Sequence, residues 1–156
     1  MESSRRGTVD SFIVMDVMEA ARKAEVAGRS IVHMEVGQPG TPAPLAARRS
    51  LARQLEKDDP MGYTVALGLP ALRQRIAELY KTWYNFDLSP ERVVITPGSS
   101  GGFVLAFLSL FDTGARVGIG APGYPSYRQI LKSLELVPVD LPTSEAARLQ
   151  PTADNI

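Results

Sequence analysis

Val93-Val94-Ile95-Thr96-Pro97-Gly98-Ser99-Ser100-Gly101-Gly102-Phe103 is the stretch on which the reading of this chain turns. Three β-branched residues in succession predict a short strand covered on both faces. Pro97 and Gly98 end that strand. Ser99 or Ser100 is placed to cap a helix whose apolar residues Phe103, Val104, Phe107, Leu108 and Phe111 recur at helical spacing. Strand, small-residue loop and helix start together leave several backbone N–H groups and two hydroxyls at one spot. Such a spot suits an anion, and phosphate is its usual occupant.

Downstream, Arg116 to Ile119 predicts a second buried strand, Tyr124 to Leu134 a helix and Leu136 to Val139 a third strand. Strand and helix thus alternate with short connections from residue 92 to 140. That pattern predicts an α/β fold, a mostly parallel sheet with helical crossovers. Upstream, Asp10 to Ala27 reads as a helix closed by Gly28, and Ile31 to Val36 as a strand. The prolines at 39, 42 and 44 mark an internal boundary. Leu45 to Lys57 reads as a helix with Leu45, Leu51 and Leu55 inward and Arg48, Arg49 and Arg53 on solvent. Pro70 opens another, with Leu72, Ile76, Leu79, Tyr80 and Trp83 as its apolar stripe and an end near Asn85. Tyr80, Trp83 and Tyr127 are expected in the core, and Arg73 and Arg75 on solvated helix faces.

The composition narrows the classes of function. The chain has 156 residues, 44% hydrophobic and 22% charged, which suits one globular domain with a real core. Lys plus Arg and Asp plus Glu balance at 17 each, so no basic excess points to nucleic acid or an anionic membrane. No apolar run approaches the roughly 20 residues of a membrane span. The lack of cysteine removes disulfides, thiol chemistry and thiolate-held metal, and suits a cytoplasmic protein. Pro151 or Thr152 reads as a helix start just before Ile156, so the chain is expected to be the first part of a longer protein.

Three chemistries can use the opening stretch. Gly98-Ser99-Ser100-Gly101-Gly102 matches the G-x-S-x-G elbow of a hydrolase, with Ser100 as nucleophile. The histidine base would have to follow the serine, whereas the one histidine, His33, precedes it and reads as a packed strand residue. Gly118-Ile119-Gly120-Ala121-Pro122-Gly123 matches G-x-G-x-x-G, with Asp140 near the spacing of a ribose-binding acid. Pro122 and Pro125, however, remove backbone donors from the loop that would cradle a pyrophosphate. The third use is a phosphate-bearing cofactor whose ring needs an aromatic face. Tyr124 stands after the neighbouring strand, on the sheet edge where ligands bind.

Four pieces carry a family resemblance: Glu35-Val36-Gly37-Gln38-Pro39; Gly62-Tyr63-Thr64 continued by Gly68-Leu69-Pro70-Ala71-Leu72-Arg73; Thr96-Pro97-Gly98-Ser99-Ser100; and Pro122-Gly123-Tyr124-Pro125-Ser126-Tyr127. In order and spacing the chain resembles the N-terminal part of a class I/II aminotransferase of pyridoxal phosphate fold type I. The resemblance implies a truncated large domain, a mostly parallel sheet with helices on both faces, preceded by a helix and strand of the small domain. It places residues 1–44 in the N-terminal arm and small domain and 45–156 in the incomplete large domain. It implies pyridoxal 5'-phosphate as cofactor, held at its phosphate by Ser99, Ser100 and Gly101 and at its ring by Tyr124. Tyr63 would reach the phosphate of a partner subunit's cofactor, which implies a homodimer with shared active sites. Gly37 would lie beside the substrate carboxylate, the substrates being an amino acid and a 2-oxo acid. The family's catalytic lysine is expected beyond residue 156, since Lys23, Lys57, Lys81 and Lys132 lack its context. The chain alone is therefore expected to be inactive. Another reaction of the same fold (decarboxylase, lyase or synthase) and a non-catalytic effector-binding domain are the alternatives the resemblance leaves.

Overall fold

The computed structural model describes residues 4–58 and 60–155, without the side chain of Arg5. These divide into two units, one formed by residues up to 36 together with 97 onward, the other by residues 37–96.

The first unit contains helix α1 (Ile13–Val26), helix α4 (Gly98–Leu110), strand β1 (Arg116–Ala121), helix α5 (Pro125–Ser133) and strand β2 (Val137–Pro142). Gly28, at φ +84°, closes α1 as expected, with the Arg29 N–H reaching back to the Ala24 carbonyl at 3.0 Å. β1 and β2 pair in parallel from Arg116 opposite Val137 to Ala121 opposite Pro142, with α5 as the crossover between them. The crossover buries Leu131 completely and Leu136 nearly so. Both termini of the pair α4 and α5 are tied. Phe103 meets Tyr127 edge-on at 4.6 Å near the helix starts, and the Gly114 N–H bonds the Glu135 carbonyl at 2.8 Å after the helix ends. The two helices therefore run side by side in one direction and open at the same end.

The second unit contains helix α2 (Leu45–Leu55) and helix α3 (Pro70–Tyr84). Pro70 stands at N1 of α3, where its missing N–H costs nothing, and Asn85 closes the helix in the left-handed region at φ +50°. Gly68, at φ +97°, faces Ile95, and any Cβ there would collide with the Ile95 side chain. The backbone of Ile95 bonds the same turn, its N–H donating to the Leu67 carbonyl at 3.0 Å.

Several expectations are corrected. Val93 to Ile95 is not a strand: Val93 is buried, but Val94 is half exposed, and the run meets a neighbouring segment through the bond of the Ile95 N–H to the Leu67 carbonyl. A strand exists only where a neighbouring chain takes up its N–H and C=O groups in series. Ile31 to Val36 fails for the same reason, with Val32 and Met34 left 83% and 88% exposed. Leu45, Leu51 and Leu55 are exposed rather than inward, since α2 has no buried residue. Tyr80 and Trp83 are exposed too, and α3 buries the small Ala77 instead. Tyr127 is half-buried. Arg73 leaves its predicted solvated face: its Nε donates to the carbonyls of Pro90 and Val93 at 3.0 and 2.9 Å. Those carbonyls lie where the expected strand was to begin, and the guanidinium supplies a donor.

Candidate functional site

The helix start at the centre of the sequence reading differs in one respect from expectation. Ser99 and Ser100 do not cap α4, because the helix has already begun at Gly98 and Pro97 occupies the cap position. Pro97 offers no side-chain acceptor and makes no cap of its own. Gly98 enters the helix at φ +76°, a conformation that glycine adopts at no steric cost. Ser99, Ser100 and Gly101 therefore form the first turn itself, both serines exposed. The first turn carries no acidic residue. N–H groups at a helix start, the positive end of its dipole, and two exposed hydroxyls favour a bound anion.

Tyr124 is the N-cap residue of α5, immediately after the C-terminal end of β1. Its ring is 55% exposed. Phe12 meets it edge-on at 6.2 Å and Tyr127 at 5.4 Å, so two aromatic neighbours hold it while much of its surface stays open. The loop that presents Tyr124 turns tightly. A Cβ on Gly123 would run into the Gly120 carbonyl oxygen, which only glycine avoids. Tyr127 touches both Tyr124 and Phe103, and thereby links the aromatic loop to α4. The helix start and the tyrosine ring thus belong to one unit and to the same end of two parallel helices. A phosphate and a flat ring are the complementary ligand groups.

The other expected site residues lie in the second unit. Tyr63 stands in the segment before α3 with its ring wholly in solvent, at 109% exposure. Gly37 is exposed, and a Cβ there would meet nothing within 4 Å.

Three contacts within the first unit escaped the sequence reading. Phe12, from the N-terminal segment, sits against Tyr124. Arg128 forms an ion pair with Asp140 beside the same loop. His33 is no packed strand residue: half exposed, it is held between Glu35 at 2.6 Å on Nδ1 and Glu25 at 2.9 Å on Nε2. These two carboxylates, Glu35 foremost, raise its pKa to about 9. The same bond holds the Glu35 carboxyl below its ordinary range. The only hint in the sequence was the spacing of His33 to Glu35, which places both on one side of an extended segment.

Comparison with known proteins puts a family beside this geometry. Residues 29–156 match the profile of aminotransferase class I and II. The chain is 45% identical over 148 residues to the valine–pyruvate aminotransferase of Mycobacterium tuberculosis, covering 95% of this chain and 38% of that protein. It is 65% identical to an assigned aminotransferase of Silicibacter pomeroyi, whose structure superposes with a TM-score of 0.85 over 100% of this chain and 39% of that one. An aminotransferase structure from Mycobacterium tuberculosis is 42% identical, with a TM-score of 0.91, over 99% of this chain and 40% of that one. The chain thus spans about two fifths of the length of the relatives it matches.

Proposed function

The chain belongs to the aminotransferase class I and II family, and from that premise we propose that the protein transfers an amino group between an amino acid and a 2-oxo acid with pyridoxal 5'-phosphate as cofactor. Its fold is that of pyridoxal phosphate fold type I, α/β with a parallel strand pair in the described residues. The residues present fit the cofactor. The first turn of α4 carries no acidic residue to repel a phosphate and exposes both its serines, and the Tyr124 ring has open surface for a flat ring.

In this reading Ser99, Ser100 and Gly101 hold the phosphate by backbone N–H, and Ser100 adds its hydroxyl. Tyr124 stacks on the cofactor ring and limits its tilt. The chemistry supplied by the bound cofactor is withdrawal of electrons from the amino acid's α-carbon. Gly37 leaves room for the substrate carboxylate. Tyr63 reaches the cofactor phosphate of a second subunit, so the working protein is a homodimer with shared sites. Its fully exposed ring supports that role, since a ring of this size gains from a partner's surface. Residues 1–44 belong to the arm and small domain, 45–156 to the large domain, and the protein works in the cytoplasm. Among the described residues no helix is long and apolar enough to cross a membrane.

The observation that carries the proposal is the exposed, acid-free serine turn that opens α4 at the same end as the open face of Tyr124. The test is pyridoxal phosphate binding and transamination by the full-length protein, with valine and pyruvate as the first substrate pair. Ser100→Ala should weaken cofactor binding about tenfold or more, the worth of a hydrogen bond to a charged group. Unchanged affinity in that variant would remove the phosphate role from Ser100.

A further inference from the structure

The glycine pattern Gly118-x-Gly120-x-x-Gly123 and the acid that follows it, Asp140, are left without a role when the phosphate belongs to α4. The structure gives Asp140 another partner. Arg128 Nη2 donates to Asp140 Oδ1, joining the second turn of α5 to β2. A second tie lies on the other side of the loop. Thr143, just past β2, donates to the Ala121 carbonyl from its N–H at 3.1 Å and from its hydroxyl at 2.8 Å. Ala121 is the last residue of β1. Between the two ties runs the segment 122–127, and Tyr124 is at its middle. Tyr124, Arg128 and Asp140 line one cleft of about 200 Å³ with Gly120 and Pro122.

Resting on the cofactor role of Tyr124, we propose that Arg128 and Asp140 are positioning residues whose ion pair sets the angle at which Tyr124 presents its ring. The pair acts through Tyr124, not on the cofactor. Both side chains are partly exposed, at 35% and 55%, and exposed pairs contribute little to stability. Ring placement is more sensitive than folding, because a small displacement of a binding group costs affinity while the fold persists. Phe12 and Tyr127 hold the Tyr124 ring edge-on and leave its surface open. The tie from Arg128 to β2 fixes the helix that carries the ring.

A double-mutant cycle on the full-length protein tests this, with pyridoxal phosphate affinity measured by equilibrium dialysis and the visible circular dichroism of the bound cofactor recorded beside it. Tyr124→Ala should weaken binding about tenfold. Asp140→Asn should weaken it about three- to tenfold and alter the dichroism, and should add nothing in the Tyr124→Ala background. The exchange of Arg128→Asp with Asp140→Arg should restore most of what either single change removes. An Asp140→Asn variant with unaltered affinity overturns the proposal, as does an effect that persists undiminished without the Tyr124 ring. If Tyr124→Ala itself binds normally, the ring-contact reading fails, and the inference falls with it. Should Asp140→Asn not fold, as judged by far-ultraviolet dichroism, Arg128→Met enters the same cycle with the same expectations.

Discussion

Residues 97–155 and residues 37–96 begin from similar material and end differently. Each holds a helix opened by proline, α5 at Pro125 and α3 at Pro70. Each also holds short apolar runs suited to strands. In the first, Arg116–Ala121 finds Val137–Pro142 and becomes half of a parallel ladder that covers Leu131 and Leu136. In the second, Val93 to Ile95 reaches one carbonyl of Leu67, and the buried hydrophobic residues among those described are Ala77 and Val93. The difference teaches that a βαβ crossover completes its own core, whereas a lone apolar run relies on irregular ties. Those ties are the Gly68–Ile95 contact and the Arg73 bonds to backbone carbonyls.

The comparison can be broken most forcefully at Leu131. Leu131→Ala removes a fully buried side chain from under the crossover and should cost about 2–5 kcal/mol in denaturant unfolding. Leu51→Ala, at an exposed position of α2, should stay within about 0.5 kcal/mol of the parent. Equal losses at the two sites would erase the distinction between the regions.

Gly68→Ala comes next. It demands a left-handed φ from an L side chain and drives a Cβ into Ile95, so thermal unfolding should report a loss of about 2–4 kcal/mol. Gly37→Ala meets open space and should leave stability nearly unchanged, which serves as the control. A smaller effect is expected from Arg73→Met, which leaves the Pro90 and Val93 carbonyls without their side-chain donor, at about 1–3 kcal/mol. If Arg73→Met is neutral, the guanidinium is not what holds the start of this apolar run.

The smallest effect concerns the first unit and varies with pH. His33 is the one histidine of the chain, so its ring protons are readily assigned by NMR. Its folded pKa, about 9, lies above the ordinary 6.5 because Glu35 and Glu25 hold the charged ring. The tie is therefore fully present below about pH 6.5 and is lost as pH rises through about 9. Glu35→Gln should lower that titration by removing the larger cause. A midpoint near 6.5 in the parent protein would show that the two carboxylates do not hold the ring in solution.

Much of this was legible from residues alone, for identifiable reasons. The closing of α1 at Gly28 and of α3 at Asn85, and the openings at Pro70 and Pro125, rest on backbone preferences of single residues. β1 and β2 were legible because their apolar runs flank a helix long enough for a crossover. The family was legible because its motifs lie in loops, where glycine, proline and tyrosine stand at fixed spacings between the elements. What escaped were matters of partnership. Val93, Val94 and Ile95 have a strand's composition, yet composition cannot supply a neighbour. Tyr80 and Trp83 fit an apolar stripe, but the stripe does not say how much of it is covered.

The sequence by itself determined the helices, the punctuation between them, the small-residue start of α4 and the aromatic loop at Tyr124, because the bonds and steric limits involved close within a few residues. Tertiary structure alone decided that α4 starts at Gly98, so that Ser99 and Ser100 lie in its first turn and do not cap it. It also decided that Arg73 turns to backbone carbonyls, that Asp140 takes Arg128, and that Phe12 meets Tyr124. Each of these joins groups far apart in the chain or depends on how the backbone enters the helix, and only the folded path sets which of them meet.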